Sequence, residues 1–139
     1  MPKLSRGQRI VLAAAGIVAL VLLVVARNLE PDPRGYGTHQ QLGFTPCYFH
    51  EWTGHPCPTC GMTTAWSHAL RGNIAPALEA NLGGVLLAAC TAIGVPWLLI
   101  SAAVGRWMVV GPSPKTGLVV ATAWLAIVLV DWLQRWFTS

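Results

Sequence analysis

Charge is scarce in this sequence. Asp, Glu, Lys and Arg together make up 10% of its 139 residues, against about 25% in ordinary globular domains. Hydrophobic residues make up 54%, and the mean hydropathy is +0.54. A soluble chain this short exposes too large a fraction of its surface to hide so much apolar side chain, so a water-soluble domain is excluded. The formal charge of +4 needs no nucleic acid as partner, because basic residues flanking membrane segments account for it. A glycine-rich phosphate loop, a serine-hydrolase motif and paired carboxylates are missing, which argues against a kinase or a hydrolase. There is no internal repeat and no low-complexity tract.

What the chain does have is three long apolar runs. Residues 10–26 and 82–104 contain no charge, and residues 117–130 are uncharged with apolar character continuing past Asp131 to Phe137. About 20 apolar residues cross a bilayer core, and backbone within lipid must satisfy its own hydrogen bonds, so these runs are expected to be helices. The expected fold class is all-α integral membrane, a single domain over residues 1–139 with spans at about 10–26, 82–104 and 117–137. Pro96 lies within the second span and is expected to kink it. The first run also has a secretory-signal reading, with a basic lead and Val24-Val25-Ala26 as a cleavage site. Its apolar stretch exceeds the usual 7–15 residues, which favours a retained span.

Lys3, Arg6 and Arg9 precede the first run, and Arg106 and Lys115 lie between the second and third. By the positive-inside rule they place the N-terminus in the cytoplasm. The loop after the first span and the C-terminus then lie outside.

That outer loop carries the chemistry. Residues 27–46 hold three prolines and three glycines and read as an exposed connection with room for a short turn in "GTHQQLGF". "CYFHEWTGHPCPTCG" follows. From Gly61, residues Met62, Ala65, Trp66, Ala69 and Leu70 recur at helical spacing, with Gly72 as a stop. This short helix is expected to be interfacial or re-entrant, packed on the spans, in a loop-plus-helix unit over 45–72. Asn73 is a candidate cap for a further short turn, and Asn81 for the second span. Gly83 and Gly84 permit close helix approach.

Cys47, His50, Cys57 and Cys60 form two pairs, each with two intervening residues, which is a ligand pattern for tetrahedral zinc. His55 is an alternative to His50. A second reading is thiol redox chemistry by Cys57 and Cys60 at a helix N-terminus, which favours a thiolate. A third is a structural disulfide from Cys47 to Cys57 or Cys60, which persists outside the cytoplasm. Cys90, within the second span, reads as a small buried hydrophobe. His39 reads as a loop residue, and His68 as a hydrogen-bonding member of a polar stripe with Thr64 and Arg71. Asp131 is the one acid inside an apolar run and is a site candidate for that reason. It stands four residues before Arg135, in the favourable order for a helix ion pair. A sharper role would have it contact His50, His55 or Arg71. Trp132 and Trp136 read as interface anchors.

The motif Cys47, Thr53-Gly54, Cys57-Pro58-Thr59-Cys60-Gly61, Thr63, Ala65, Gly72 and Asn81 resembles a family of small bacterial membrane proteins, domain of unknown function 2752, over roughly residues 45–105. Two positions depart from that family's pattern. Thr64 stands where its arginine would be, and Leu82 where a proline would follow Asn81. The resemblance implies a membrane fold and a Cys-Pro-x-Cys-Gly site, and it brings no reaction with it.

The expected function is a non-enzymatic scaffold or partner-binding membrane protein with a Cys/His knuckle closed by zinc or a disulfide. The alternative is a membrane thiol-disulfide redox protein. Expected partners are the lipid bilayer and a membrane protein or a second copy of this chain.

Overall fold

The computed structural model describes residues 3–111 and 113–138. It is all-helical, with α1 (Arg6–Asn28), α2 (Tyr48–Thr53), α3 (Met62–Ala69), α4 (Ile74–Ala80), α5 (Leu82–Val104) and α6 (Pro114–Thr138), and a 3-10 turn at Thr38–Leu42. Helices α1, α5 and α6 are long and apolar enough to cross a membrane. Helix α5 is central and packs against α1, α3, α4 and α6, while α1 and α6 do not pack on each other among the described residues.

Burial runs opposite to that of a soluble protein. The residues hidden in the three long helices are mostly small: Gly16, Ala26, Gly83, Gly84, Ala88, Ser101 and Ala102. Large apolar side chains such as Ile10, Val11, Leu118 and Val119 point outward. Small residues let membrane helices approach closely where lipid offers no hydrophobic drive to associate. A Cβ on Gly83 would run into Val128 of α6, and one on Gly84 would press on Met62 and Ala65 of α3. The two glycines therefore set the distance of both neighbours from α5. Trp124 adds an indole hydrogen bond to the Gly83 carbonyl, at 2.9 Å.

Polar side chains close both ends of the bundle. At one end, Ser5 caps α1 in a reciprocal capping box with Gln8. Arg9 donates to the Ala102 and Ala103 carbonyls at 2.8 and 3.0 Å. A cation there satisfies orphan carbonyls at the negative end of α5. The N-terminus of α1, with three of the chain's basic residues, thus lies against the C-terminus of α5. At the other end, Asn81 caps α5 by accepting from the Gly84 N–H at 2.7 Å. Asn73 precedes α4 without a side-chain capping bond, so the expected cap is absent there.

The connection after α1 is more ordered than its composition implies. Thr38 is fully buried. Its hydroxyl contacts that of Thr64 at 2.6 Å and accepts from the Asp32 N–H at 3.0 Å. Ser67 donates to the Leu29 carbonyl. The segment is pinned to α3 through Thr38 and Ser67, while residues 41–46 are exposed, as its composition implies. Thr64 thus holds the loop itself. Pro96 lies inside α5, which runs unbroken through it. Cys90 is exposed on the outside of α5, which corrects the expectation that it is buried: a thiol is apolar enough to face lipid.

Gly54 and Gly61 both adopt positive φ, at 72° and 81°. A Cβ on Gly54 meets nothing, whereas one on Gly61 would lie 2.5 Å from the Ala80 carbonyl oxygen and 2.6 Å from that of Gly35. Gly54→Ala is expected to cost about 1–2 kcal/mol for the left-handed backbone alone. Gly61→Ala adds a clash with two backbone oxygens, so its melting temperature in detergent should fall clearly further. Equal losses for the two variants would contradict this packing.

Candidate metal centre

The centre is built on a tight turn. Cys47 is the N-cap residue of α2, and Cys57 and Cys60 flank the turn before α3. The Cys60 N–H donates to the Cys57 carbonyl at 3.1 Å, and the Met62 N–H donates to that of Thr59 at 3.1 Å. Gly61 then takes the left-handed conformation and starts α3. The sulfurs of Cys47, Cys57 and Cys60 all lie within 4.8 Å of one another.

Two side chains from other elements hold this turn in place. The Asn81 amide donates to the Pro58 and Cys60 carbonyls at 3.2 and 3.1 Å. Arg135, on α6, donates to the same two carbonyls at 3.3 and 3.0 Å. Asp131 anchors that guanidinium, with its Oδ2 3.0 Å from Arg135 Nε. Neither member of the pair is more than 18% exposed. Trp132 donates to the Pro56 carbonyl at 2.7 Å.

The thiols are not equivalent. All three are free. Burial raises the pKa of Cys57, but hydrogen bonds from Thr59 and from the Cys60 and Cys47 thiols outweigh it, and the net shift is downward. Cys60 is 7% exposed. Its thiol is pushed up to about 12, by burial first and then by the neighbouring Cys57 and Cys47 sulfurs. Of these two thiols, Cys57 gives up its proton first.

The sequence-derived candidates separate cleanly in space. His50 stands outside the group of three sulfurs, with its ring tilted against Tyr36 at 4.6 Å. Its nitrogens make no hydrogen bond among the described residues. It is three residues from Cys47, and both line one cavity with Cys57 and Cys60. His55 stacks on Trp136 at 4.1 Å with a buried, unpartnered Nδ1. His39 hydrogen-bonds the Thr45 carbonyl at 3.2 Å. The Nδ1 of His68 is buried without a partner, and no side-chain hydrogen bond from His68 to Thr64 or Arg71 is found among the described residues. Arg71 donates to the Ser67 hydroxyl and carbonyl. Asp131 pairs with Arg135, and its contact with a loop histidine or Arg71 is not found among the described residues. Sequence reasoning missed the grip of Arg135 and Asn81 on the turn. A cation with an acidic neighbour in an apolar run was its available signal.

Comparison with known proteins adds a family to this geometry. Residues 47–95 match the family described as protein of unknown function (DUF2752). The matched stretch runs from Cys47 through Val95 and takes in all three clustered cysteines, Gly61 and Asn81. No curated protein and no solved structure matches the chain.

Two outcomes test the site. In metal-free protein, Cys57 deprotonates below the ordinary thiol value of 9.0, so its alkylation by iodoacetamide should rise with pH from below that point. Cys60 should lag over the same range, as followed by peptide mass spectrometry; equal rates would contradict the ordering. Arg135→Ala removes charge-assisted bonds worth about 1.5–3 kcal/mol each and leaves Asp131 unpaired. It should speed Cys60 alkylation more than tenfold, and Asp131→Asn should do so less because the guanidinium remains.

Proposed function

We propose that this chain is a small multi-pass protein of the bacterial cytoplasmic membrane. Its N-terminus lies in the cytoplasm, and a knuckle of Cys47, His50, Cys57 and Cys60 binds zinc on the outer side. The knuckle is structural, and the protein serves as a non-enzymatic scaffold that presents it to a membrane-protein partner or a second copy of this chain.

The observation that carries this reading is the cluster of three sulfurs within 4.8 Å. Zn–S bonds of about 2.3 Å separate tetrahedral sulfurs by about 3.8 Å, so bringing the three sulfurs onto one ion needs movement of about an ångström or less. Thiolates are the soft donors that zinc takes. The Thr59 backbone N–H directed at Cys57 is the support a thiolate ligand needs. His50, with no side-chain hydrogen bond among the described residues and on the same cavity, is the candidate for the fourth ligand. Five basic residues at the α1 N-terminus and around the α5–α6 connection support the orientation.

One observation favours a second reading, thiol exchange. The asymmetry of Cys57 and Cys60 is that of an attacking and a resolving thiol. A Cys57 thiolate would attack a partner disulfide and release one partner thiol. Cys60 would then displace the second and leave a Cys57–Cys60 disulfide.

Purified protein is expected to hold one zinc per chain by elemental analysis. Cys47→Ser, Cys57→Ser and Cys60→Ser should each abolish it, and His50→Ala should weaken it. In intact cells, an impermeant maleimide should label Cys57 after chelator treatment. Labelling released only by reductant, with a mixed disulfide trapped in Cys60→Ser, would replace zinc with the exchange reading. Labelling only after lysis would reverse the orientation.

A further inference from the structure

A cavity of about 720 Å³ lies between the last turns of α1, the Thr38–Leu42 turn and the cysteine cluster. That volume is within the range of small-molecule sites. Its lining has an α1 end and a loop end. Leu22 and Val25 line it from the last turns of α1, and Arg34, His39, Gln40, His50 and Glu51 bring polar groups from the segments beyond that helix.

Depth separates the same two ends. Helix α1 has 23 residues and is about 34 Å long, close to the thickness of a bilayer hydrocarbon core. Leu22 is six residues before the end of α1, so it sits about 9 Å inside that end. The α1 end of the cavity is therefore at acyl-chain depth. The loop end belongs to residues beyond the helix, at headgroup depth. Leu22 is 53% exposed on a helix most of whose large apolar side chains point outward, so this wall of the cavity adjoins the lipid-facing side of α1. Leu42 and Phe44, also on the cavity wall, are 49% and 63% exposed in a segment outside the long helices. Large apolar side chains clustered there call for a cover.

From this arrangement we infer that the cavity binds a single-chain amphiphile taken from the outer leaflet of the bilayer. Its alkyl chain lies along Leu22 and Val25 and beneath Leu42 and Phe44. Its head meets the hydrogen-bonding groups of His39, Gln40 and His50. Entry is lateral, from the membrane, because the α1 end adjoins lipid. The inference is independent of zinc: it needs the cavity and not a metal on its wall.

The test uses full-length protein in lipid nanodiscs with two probes, a palmitic acid and a lysophosphatidylcholine, each carrying a diazirine on its alkyl chain. Adducts are expected on Phe44, Met62 and Thr63, saturating at one probe per chain and displaced by the unlabelled amphiphile. The probe with the higher occupancy identifies the head as a carboxylate or a phosphate ester. Val25→Trp should fill the cavity and remove these adducts while those on lipid-facing Val119 and Val120 persist. Leu22→Trp, at the exposed rim, does the same without touching a packed position, should Val25→Trp not fold. Cys47→Ser protein, without zinc, should keep the adducts, so loss of metal and loss of amphiphile are separate results. Adducts confined to the outer faces of the long helices, or unsaturable adducts unchanged by both tryptophan variants, would overturn the inference.

Discussion

The carbonyls of Pro58 and Cys60 are gripped twice, by the Asn81 amide and by the Arg135 guanidinium. Much of this end of the molecule depends on this pair of contacts. A carbonyl at the mouth of a membrane bundle must find a donor, and here two donors come from two different helices. Asn81 simultaneously starts α5, so the first turn of the central helix and the cysteine turn share one fully buried side chain. Arg135 brings the end of α6 to the same place, and Asp131 holds its charge. Gly61 completes the junction, because its missing side chain leaves room for the Ala80 and Gly35 carbonyls.

That junction explains why three cysteines that are ten and three residues apart in sequence come together. Cys57 and Cys60 are paired by their own turn. Cys47 arrives with α2, which is seated by Phe49 against Trp132 and Trp136. Asymmetry among the thiols follows from their positions, since Cys60 is the most enclosed and Cys57 the best supplied with donors. A metal binding there would tie α2 to α3, and so join the loop to the packed bundle.

Several local features were legible in the sequence because they depend on neighbours along the chain. Asn81 as a cap, Gly83 and Gly84 as contact points, and Asp131 with Arg135 as a pair are of this kind. The all-helical character and the three long apolar helices follow from composition and run length. Features that failed were those set by distant residues. His68 has helix-face spacing with Thr64 and Arg71, yet its Nδ1 is buried unpartnered, because packing and not periodicity fixes its surroundings. Cys90 was read as buried by the rules of a soluble core, but the outside of a membrane helix is apolar too. Residues 27–46 are largely exposed, as their prolines and glycines imply, but the buried contact of Thr38 with Thr64 was not legible.

Sequence alone determined the helices, the residue types able to bind a soft metal, and the tight turn that pairs Cys57 with Cys60, because hydropathy, capping and turn chemistry act over a few residues. Only the tertiary structure decided that Cys47 joins that pair while His50 rests on Tyr36, and that Arg135 reaches across 75 residues to the Cys60 carbonyl. Those contacts follow from where α2 and α6 come to lie against the start of α5. That placement is a product of helix packing around Gly83 and Gly84, and no short stretch of sequence encodes it.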